Sequence, residues 1–286
     1  MLYFLYHSNC FDGFGAAISA WRLYGDQAKY IPVSYGKPAP ETPEAETIYL
    51  LDFCYPKKII EELATRCIVR VLDHHKSAQE ALKGYPFAGN NINERNLAPV
   101  SVNFDMNRSG AVIAWEWFHP DKPIPLLLQY IQDRDLWLFN LPQSEEYHAW
   151  LRSYPFDFTL WNGFLEAMEA GNLANLSEGV AIKRSADQTV AMMCKNYRYA
   201  QIAGHRAVTV NATCHWSEVG HYLLKKHPKA AFAASFGTLG TGKVMWSLRS
   251  QGDFDVSEIA KQFNGGGHKN ASGCADLVVD FFESRP

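Results

Sequence analysis

The sequence contains no cysteine pair in C-x-x-C spacing, no low-complexity tract and no apolar run near the ~18–20 residues that span a bilayer. The first absence argues against zinc-ribbon and thioredoxin chemistry, so its six cysteines are expected to be reduced thiols, mostly buried. The N-terminal stretch MLYFLYHSNCFDG has neither a basic leader nor a small-residue cleavage site. We therefore expect a cytoplasmic protein with no membrane partner.

Charge is sparse and unevenly distributed. Charged residues make up 20% of the 286 residues against 47% hydrophobic ones, a composition typical of a globular chain long enough for one large or two ordinary domains. Residues 1–182 hold 14 Lys+Arg and 22 Asp+Glu, whereas residues 183–286 hold 13 and 8. An acidic half suits metal cations and a basic half suits an anionic substrate. Chance surface composition is the alternative for this feature taken alone.

The pattern of apolar segments predicts an α/β fold. Strand-like runs at residues 2–6, 29–34, 47–51 and 67–72 are separated by helix-like segments, which is typical of a parallel sheet. After Gly204, shorter strand-like runs with glycine-rich turns indicate a second, smaller α/β domain with a mixed sheet. We place a metal-binding domain at residues 1–156, a helical connector at 157–200 and a substrate-binding domain at 201–286. The active site is expected in the cleft between the domains.

Polar side chains follow the ends of several predicted strands. His7 and Asp12 lie in HSNCFDG, Asp52 directly follows IYLL, and Asp73, His74 and His75 end the next strand. Ligands of open α/β sheets bind beyond the carboxyl ends of the strands, so these residues can converge. Each alone also has a structural explanation, as a turn or a helix cap.

A further carboxylate, Asp133, lies in IQDRDLW, where its neighbour Asp135 is a rival for the same role. Carboxylates and imidazoles without thiolates suit Mn²⁺ or Mg²⁺ and do not exclude Fe²⁺, Co²⁺ or Zn²⁺. Two such ions ~3.5–4 Å apart can clamp the attacking and leaving oxygens of a displacement at phosphorus.

The C-terminal segment GGGHKNASG contains the second set of candidate residues. Glycines let the backbone approach an anion closely, and the neighbouring cations add positive charge. Arg249, at the end of WSLRS, is suited to fork onto a phosphate. A flexible turn is the plain alternative for the glycines. The proposed substrate-binding residues are Gly265, Gly266, Gly267, His268, Lys269, Arg249 and His75. Three aromatic residues, Trp216, Tyr222 and Trp246, are candidate platforms for base stacking.

The order His…Asp-Gly, Asp, Asp-His-His, Asp and then GGGHKNASG resembles the DHH phosphoesterase family with its DHH-associated C-terminal domain, over essentially the whole chain. In its length and in its WSLRS and GGGHKNASG motifs, the chain most resembles the oligoribonuclease and RecJ-like branches of that family. The resemblance implies hydrolysis of short oligonucleotides, dinucleotides or 3′-phosphoadenosine 5′-phosphate, usually with Mn²⁺. It also implies a role for each residue of the first domain. One metal is bound by His7, Asp12 and Asp52, and the second by Asp52, His74 and Asp133. The catalytic residues are then Asp73, which orients a ligand, His74, and His75, which contacts the scissile phosphate.

Two departures from the family's first motif bear on this assignment. One additional residue separates His7 from Asp12, and Phe14 replaces the second aspartate that commonly follows the glycine. This replacement removes an expected ligand of the second metal. Either water, Asn9 or Asp135 fills that coordination position, or the second metal binds more weakly.

Three functions are consistent with the sequence. The first is a 3′–5′ exonuclease or phosphodiesterase acting on short single-stranded oligonucleotides or dinucleotides. The second is a small-molecule phosphatase or phosphodiesterase for 3′-phosphoadenosine 5′-phosphate or for cyclic or linear dinucleotides. The third is a nucleotide-binding sensor with weak catalysis, suggested by Phe14. The net charge of −3 argues against a protein that grips long duplexes. A homodimer is left open.

Overall fold

A computed structural model describes residues 1–94, 96, 98–172, 176–238, 240, 242–275 and 277–281. The chain forms two compact units, Met1–Lys183 and Arg184–Pro286. The division falls inside one long helix, Leu176–Cys194, within the stretch expected to be a connector.

The first unit is built on a five-stranded sheet in the order β2-β1-β3-β4-β5, and all four neighbouring pairs are parallel. Its strands are apolar on both faces, as parallel strands covered by helices must be. In β1, Phe4 faces one core and Leu5 the other. The predicted parallel sheet is confirmed. The strands are β1 (Leu2–His7), β2 (Lys29–Val33), β3 (Thr47–Leu51), β4 (Ile68–Asp73) and β5 (Val100–Phe104).

Helices pack against this sheet and against one another, and the last of them continues into the second unit. They are α1 (Phe11–Tyr24), α2 (Lys57–Ala64), α3 (Lys76–Ala81), α4 (Gly110–Phe118), α5 (Leu126–Asp135), α6 (Ser144–Leu151), α7 (Phe158–Glu169) and α8 (Leu176–Cys194). Helix α7, placed in the connector from the sequence, packs Trp161, Leu165 and Met168 into the first unit's core. Its burial therefore makes it part of that unit.

The second unit contains a seven-stranded mixed sheet in the order β10-β11-β9-β8-β7-β6-β12. Strands β7 and β8 are parallel and are connected through helix α9, whereas the other neighbouring pairs are antiparallel. The expected mixed sheet is confirmed. The elements are β6 (Arg198–Ile202), β7 (His205–Asn211), α9 (Trp216–Lys226), β8 (Phe232–Thr238), β9 (Val244–Arg249), α10 (Val256–Lys261), β10 (Gly266–His268), β11 (Ala271–Ala275) and β12 (Asp280–Phe281).

The order of the first sheet contains a topological switch point. Strand β1 pairs with β2 on one side and with β3 on the other. The connections leaving β1 and β3 therefore diverge, and a crevice opens beyond their carboxyl ends, where open α/β sheets bind ligands. His7 ends β1 and Asp52 immediately follows β3.

Among the described helices, none is both long enough and apolar enough to cross a membrane.

Candidate metal centre

Asp52 lies at the middle of the charged cluster at this sheet edge. Its carboxylate oxygens lie 3.5 Å from His7 Nδ1 and 3.2 Å from His74 Nε2. Asp52 is almost fully buried and has a φ of 51°, a conformation that is rare for residues other than glycine. Its amide still donates to the carbonyl of Leu72 in β4. The backbone at Asp52 is therefore locally strained at the point where its carboxylate faces both rings. Strain of this kind is common at functional sites.

Asp12 enters the cluster from the first turn of α1 and is held by the beginning of α4. The amides of Gly110 and Ala111 donate to its two carboxylate oxygens at 2.6 and 2.9 Å. A helix N-terminus favours a negative group in this position. The same Asp12 Oδ2 atom lies 3.4 Å from His74 Nε2. Each carboxylate oxygen has two lone pairs, so these bonds leave coordination capacity.

Two glycines permit this close approach. A Cβ on Gly110 would lie 2.5 Å from Asp52 Cβ and 3.0 Å from Asp12 Oδ2. A Cβ on Gly13 would lie 2.3 Å from the carbonyl oxygen of His7. Side chains at either position would therefore force β1, α1 and α4 apart.

Asp73 organises the two histidines that follow it. Its Oδ1 accepts hydrogen bonds from the amides of His74 and His75, at 2.7 and 3.3 Å. The same atom lies 2.7 Å from His75 Nδ1. Such a contact fixes the imidazole tautomer, so that Nδ1 carries the proton and Nε2 is the atom suited to a ligand. Asp73 is fully buried, which suits an orienting role.

The two candidate carboxylates of α5 lie in different environments. Asp135 Oδ2 is 3.5 Å from His74 Nε2, and Asp12, His74 and Asp135 together have the spacing of a metal site. The Asp133 carboxylate instead accepts hydrogen bonds from the amides of Asn140 and Leu141, at 2.8 and 3.2 Å. Among the described residues, no group spaced to hold a metal includes Asp133. The structure therefore brings the rival Asp135, and not Asp133, to the cluster.

Phe14 is directed away from the cluster. Its ring is buried and packs against Trp161 and Phe158, each with a centroid separation of 4.8 Å. The coordination position that an aspartate would supply here is thus absent from α1. Asp135 is the carboxylate that lies within reach of the same His74 ring.

The electrostatics of the cluster are those of crowded buried acids. Burial raises the pKa of Asp12 well above its usual range, and the Asp52 and Asp135 charges add to this effect. Burial acts in the same direction on Asp52, but the facing rings of His7 and His74 outweigh it and lower the pKa of that carboxyl. The carboxylates raise the pKa of His74 despite its burial. In the metal-free protein this ring therefore holds a proton that a metal must displace.

The donor set fits hard divalent cations. Within the described part of the chain, His7 Nδ1 and Asp52 Oδ1 are buried atoms that lack a hydrogen-bond partner. Cys10 donates its thiol to Asp52 at 3.5 Å, and burial raises its pKa well above the usual value, with Asp52 acting in the same direction. Oxygen and imidazole nitrogen make up most of the donors, a combination suited to Mn²⁺ or Mg²⁺, and His7, Cys10 and Asp52 together also have the spacing of a metal site.

In the second unit, Arg249 is held at the beginning of α9. Its guanidinium donates to the Ser217 hydroxyl and to the Leu248 carbonyl, both at 2.8 Å. A Cβ on Gly220 would lie 2.6 Å from Arg249 Cγ, so glycine allows the arginine stem to cross the helix. Arg249 pairs with Ala271, which pairs with His268. The two predicted substrate residues thus lie in one row across β9, β11 and β10.

The glycine triplet has a structural explanation of its own. Gly265 and Gly267 would place a Cβ only 2.1 Å from the Gly273 carbonyl oxygen and 2.6 Å from that of Ala271. Gly266 pairs with Gly273 in the same hairpin. Lys269, outside the strands, donates to Asp253 at 2.9 Å. Close packing of β10 on β11 thus accounts for glycine at 265 and 267, and phosphate binding by this segment stays a prediction.

Comparisons with known proteins identify the second unit separately and the chain as a whole. Residues 204–275 match the DHHA1 domain model. The chain is 25% identical over 323 residues to the oligoribonuclease NrnB of Bacillus subtilis (strain 168), covering 98% of this chain and 75% of that protein. The chain belongs to the DHH phosphoesterase family, with a DHH-associated C-terminal domain. The expected family is confirmed, and with it the expectation that the chain is a hydrolase of the phosphodiesterase class.

Two further relatives of this DHH phosphoesterase extend the comparison. An uncharacterized protein, R106, of Acanthamoeba polyphaga mimivirus is 32% identical over 298 residues, covering 95% of this chain and 66% of that protein. The chain therefore spans about two thirds of the length of that relative. The solved DHH domain of a member of the s1p family of ribosomal proteins is 11% identical, with a TM-score of 0.50 over 99% of this chain and 83% of that one. It supports the fold alone.

Sequence reasoning missed two contributors to the site. The first is the beginning of α4, whose amides hold Asp12; its signal is Ser109-Gly110, a capping serine followed by a glycine before an apolar helix. The second is Cys10, which no spacing rule identifies. The three aromatic residues offered as stacking platforms pack against the cores of the second unit.

Proposed function

We propose that this protein is a metal-dependent phosphodiesterase that hydrolyses short oligonucleotides or dinucleotides to mononucleotides, with two Mn²⁺ ions as its expected cofactor. The observation that carries the proposal is the convergence of three aspartates, from α1, from the end of β3 and from α5, on the ring of His74. Asp12 and Asp52 are buried, and Asp135 lies at the exposed side of the cluster. Carboxylates at this spacing repel one another, and a bound cation relieves the repulsion.

The proposed metal ligands are His7, Asp12, Asp52, His74 and Asp135, with Asp52 shared because it faces both rings. When bound, divalent ions lower the pKa of a water and neutralise charge on the phosphate. Asp135 takes the place that the sequence assigned to Asp133.

His75 is proposed to bind the scissile phosphate. Burial disfavours its charged form, but the Asp73 carboxylate raises the pKa of His75 to about 9. In the metal-free protein the ring therefore readily takes up a second proton, which Nε2 can donate to a phosphate oxygen. Asp73 acts as its positioning residue. Arg249 and His268, in one row of the second sheet, are proposed to bind another part of the substrate.

The substrate class rests on charge and on the relatives. A net charge of −3 is ill suited to a long duplex, because neutralisation of phosphates dominates affinity for such a partner. The name of the Bacillus subtilis relative supports an oligoribonucleotide substrate.

The test is a substrate panel with Mn²⁺ and product chromatography. The panel contains RNA and DNA of two to five nucleotides, a long single strand and 3′-phosphoadenosine 5′-phosphate, and Asp52→Asn serves as the inactive control. We expect mononucleotides to be released fastest from the shortest strands. Cleavage of the long strand with the short ones left intact would contradict the proposal. Turnover of 3′-phosphoadenosine 5′-phosphate alone would instead favour the small-molecule phosphatase.

A further inference from the structure

A cavity of about 320 Å³ opens in the first unit next to the metal centre. It lies between the turn after β2 and the segment after β3, and its lining includes Tyr35, Lys37, Phe53 and Tyr55. This volume is at the lower end of the range for small-molecule sites, which runs from ~300 to 1,000 Å³. It is large enough for one planar group but not for an extended chain.

Aromatic rings form much of the wall. The Tyr35 and Phe53 centroids are 4.6 Å apart, and the Phe53 and Tyr55 centroids are 4.7 Å apart with nearly perpendicular planes. Phe53 and Tyr55 are buried, whereas Tyr35 is 51% exposed. An apolar ring left half in solvent beside a reaction centre offers a stacking face that the core does not use.

The Tyr55 hydroxyl gives an independent indication of a ligand. Tyr55 is only 3% exposed, and across the described residues its buried hydroxyl has no hydrogen-bond partner. Leaving such a group unpaired costs free energy, so buried hydroxyls are nearly always satisfied. Tyr55 lines the cavity, and a small rotation of its ring would turn the covered hydroxyl toward a bound molecule, whose polar edge can then supply the missing partner.

The cavity lies next to the groups that are proposed to act on phosphate. The Tyr35 ring centroid is 5.4 Å from that of His7 and 6.3 Å from that of His75, and Phe53 is 6.1 Å from His7. Lys37, at the rim, adds a solvent-exposed cation. A phosphate at the metal centre therefore places its own nucleoside within reach of the aromatic wall.

We infer that this cavity binds the nucleobase of the nucleotide whose phosphate lies at the metal centre. In this arrangement the base stacks on Tyr35, and its polar edge bonds to the Tyr55 hydroxyl. Lys37 lies on the side of the sugar–phosphate backbone. The inference rests on the proposed function and adds a base-binding subsite located in the first unit. Stacking is tolerant of base identity, so the subsite confers a requirement for a base and not for a sequence.

The test measures equilibrium binding of two probes, AMP and ribose 5-phosphate, by titration calorimetry of the full chain with Mn²⁺. We expect wild type to bind AMP at least about fivefold more tightly than ribose 5-phosphate, since stacking contributes about 1–3 kcal/mol per base. Tyr35→Ala should weaken AMP binding by about 5- to 150-fold, the same energy converted to affinity, and leave ribose 5-phosphate unchanged.

A second variant separates the hydroxyl from the ring. Tyr55→Phe should weaken AMP binding by about two- to tenfold, because one neutral hydrogen bond is lost. Its thermal midpoint should equal or exceed that of wild type, because the removed hydroxyl has no partner in the free protein. The matched control is Tyr85→Phe, which removes a hydroxyl that bonds to Glu61 outside the cavity and should leave AMP binding unchanged.

The outcomes distinguish the inference from the function on which it rests. AMP binding that depends on Tyr35, without hydrolysis of any oligonucleotide, would support the subsite and contradict the proposed function. Hydrolysis of dinucleotides combined with AMP binding that is indifferent to Tyr35 and Tyr55 would overturn the subsite and leave the proposed function intact. Equal affinity of wild type for AMP and ribose 5-phosphate would also overturn it.

Discussion

The two units treat their charged residues in opposite ways. In the first, the buried carboxylates of Asp12 and Asp52 meet around a single histidine ring, and atoms of His7 and Asp52 lack hydrogen-bond partners within the described part of the chain. In the second, Arg249 is bound by a hydroxyl and a carbonyl, and Lys269 by Asp253. In the first unit the neighbouring carboxylates repel one another, and a bound cation would relieve that repulsion. In the second unit the cationic side chains already have hydrogen-bond partners within the protein. Metal binding is therefore expected to depend on the first unit alone, whereas Arg249 and His268 of the second unit are expected to affect substrate binding only.

The largest expected effect comes from removing the shared carboxylate. Asp52→Asn keeps the size of the side chain but removes the charge that faces His7 and His74. We expect turnover of a dinucleotide to fall at least ~10³-fold, as when a group that acts directly in the transition state is lost. Mn²⁺ titration should show weakened binding. If this variant turned over the dinucleotide as fast as wild type, the first unit's carboxylates would not be needed for catalysis and the contrast between the units would be wrong.

Variants of the second unit test the opposite half of the contrast. Arg249→Ala and His268→Ala should each lower kcat/KM by about 10²-fold, because substrate and transition-state contacts are lost. Mn²⁺ affinity, measured by calorimetry, should stay within twofold of wild type by the same division of roles. If either variant lost its metal, the assignment of metal binding to the first unit alone would be wrong.

A finer test uses the two aspartates of α5. Asp135→Asn should weaken Mn²⁺ binding by at least about tenfold, because a carboxylate beside His74 is neutralised. Asp133→Asn should keep metal affinity, but it should lower the free energy of unfolding by about 1–2 kcal/mol, because it weakens the acceptor for two backbone amides. Calorimetry and urea unfolding measure the two effects. The reverse pattern would restore Asp133 as the ligand.

The smallest expected effect concerns a buried histidine of the first unit that is not part of the charged cluster. Burial lowers the pKa of His119, against the opposing effect of its 2.8 Å hydrogen bond to the Ser19 carbonyl. Its contribution to stability is therefore complete above its ordinary pKa of about 6.5 and is lost as pH falls toward the lowered value. The urea midpoint should decline with acidification more steeply in wild type than in His119→Gln. Equal slopes would show that this ring titrates normally when folded.

Sequence patterns were sufficient for the architecture, but they did not decide which aspartate of α5 lies at the charged cluster. Strands such as β4, with apolar residues on both faces, could be recognised as members of a parallel sheet. Because parallel strands end at the same edge of the sheet, the polar residues that follow them were expected to lie close together. The choice between Asp133 and Asp135 depended on how α5 ends. The helix continues to Asp135, and Trp137 and Phe139 then adopt positive φ, which turns the chain back so that Asn140 and Leu141 bind Asp133. No local spacing encodes that return.

Aromatic residues were equally ambiguous in the sequence. Trp246 was a candidate for base stacking, yet it packs on Phe236 at 4.6 Å within the second core. Tyr35, by contrast, follows an edge strand and carries no motif. The role proposed for Tyr35 depends on a cavity that the segments after β2 and β3 form together. The exposure of the ring in the folded protein, and not the residue type, therefore distinguishes Tyr35 from Trp246.

The topological switch between β1 and β3 has a consequence for the life of the chain in the cell. The proposed ligands come from four separate segments, and the last of them is synthesised long after the first. If these residues bind the ion, a fragment that ends before Asp135 lacks one of the ligands, so the complete site forms only after that residue has been synthesised. The bound ion would also stabilise the folded first unit, because its binding free energy adds to the free energy of unfolding.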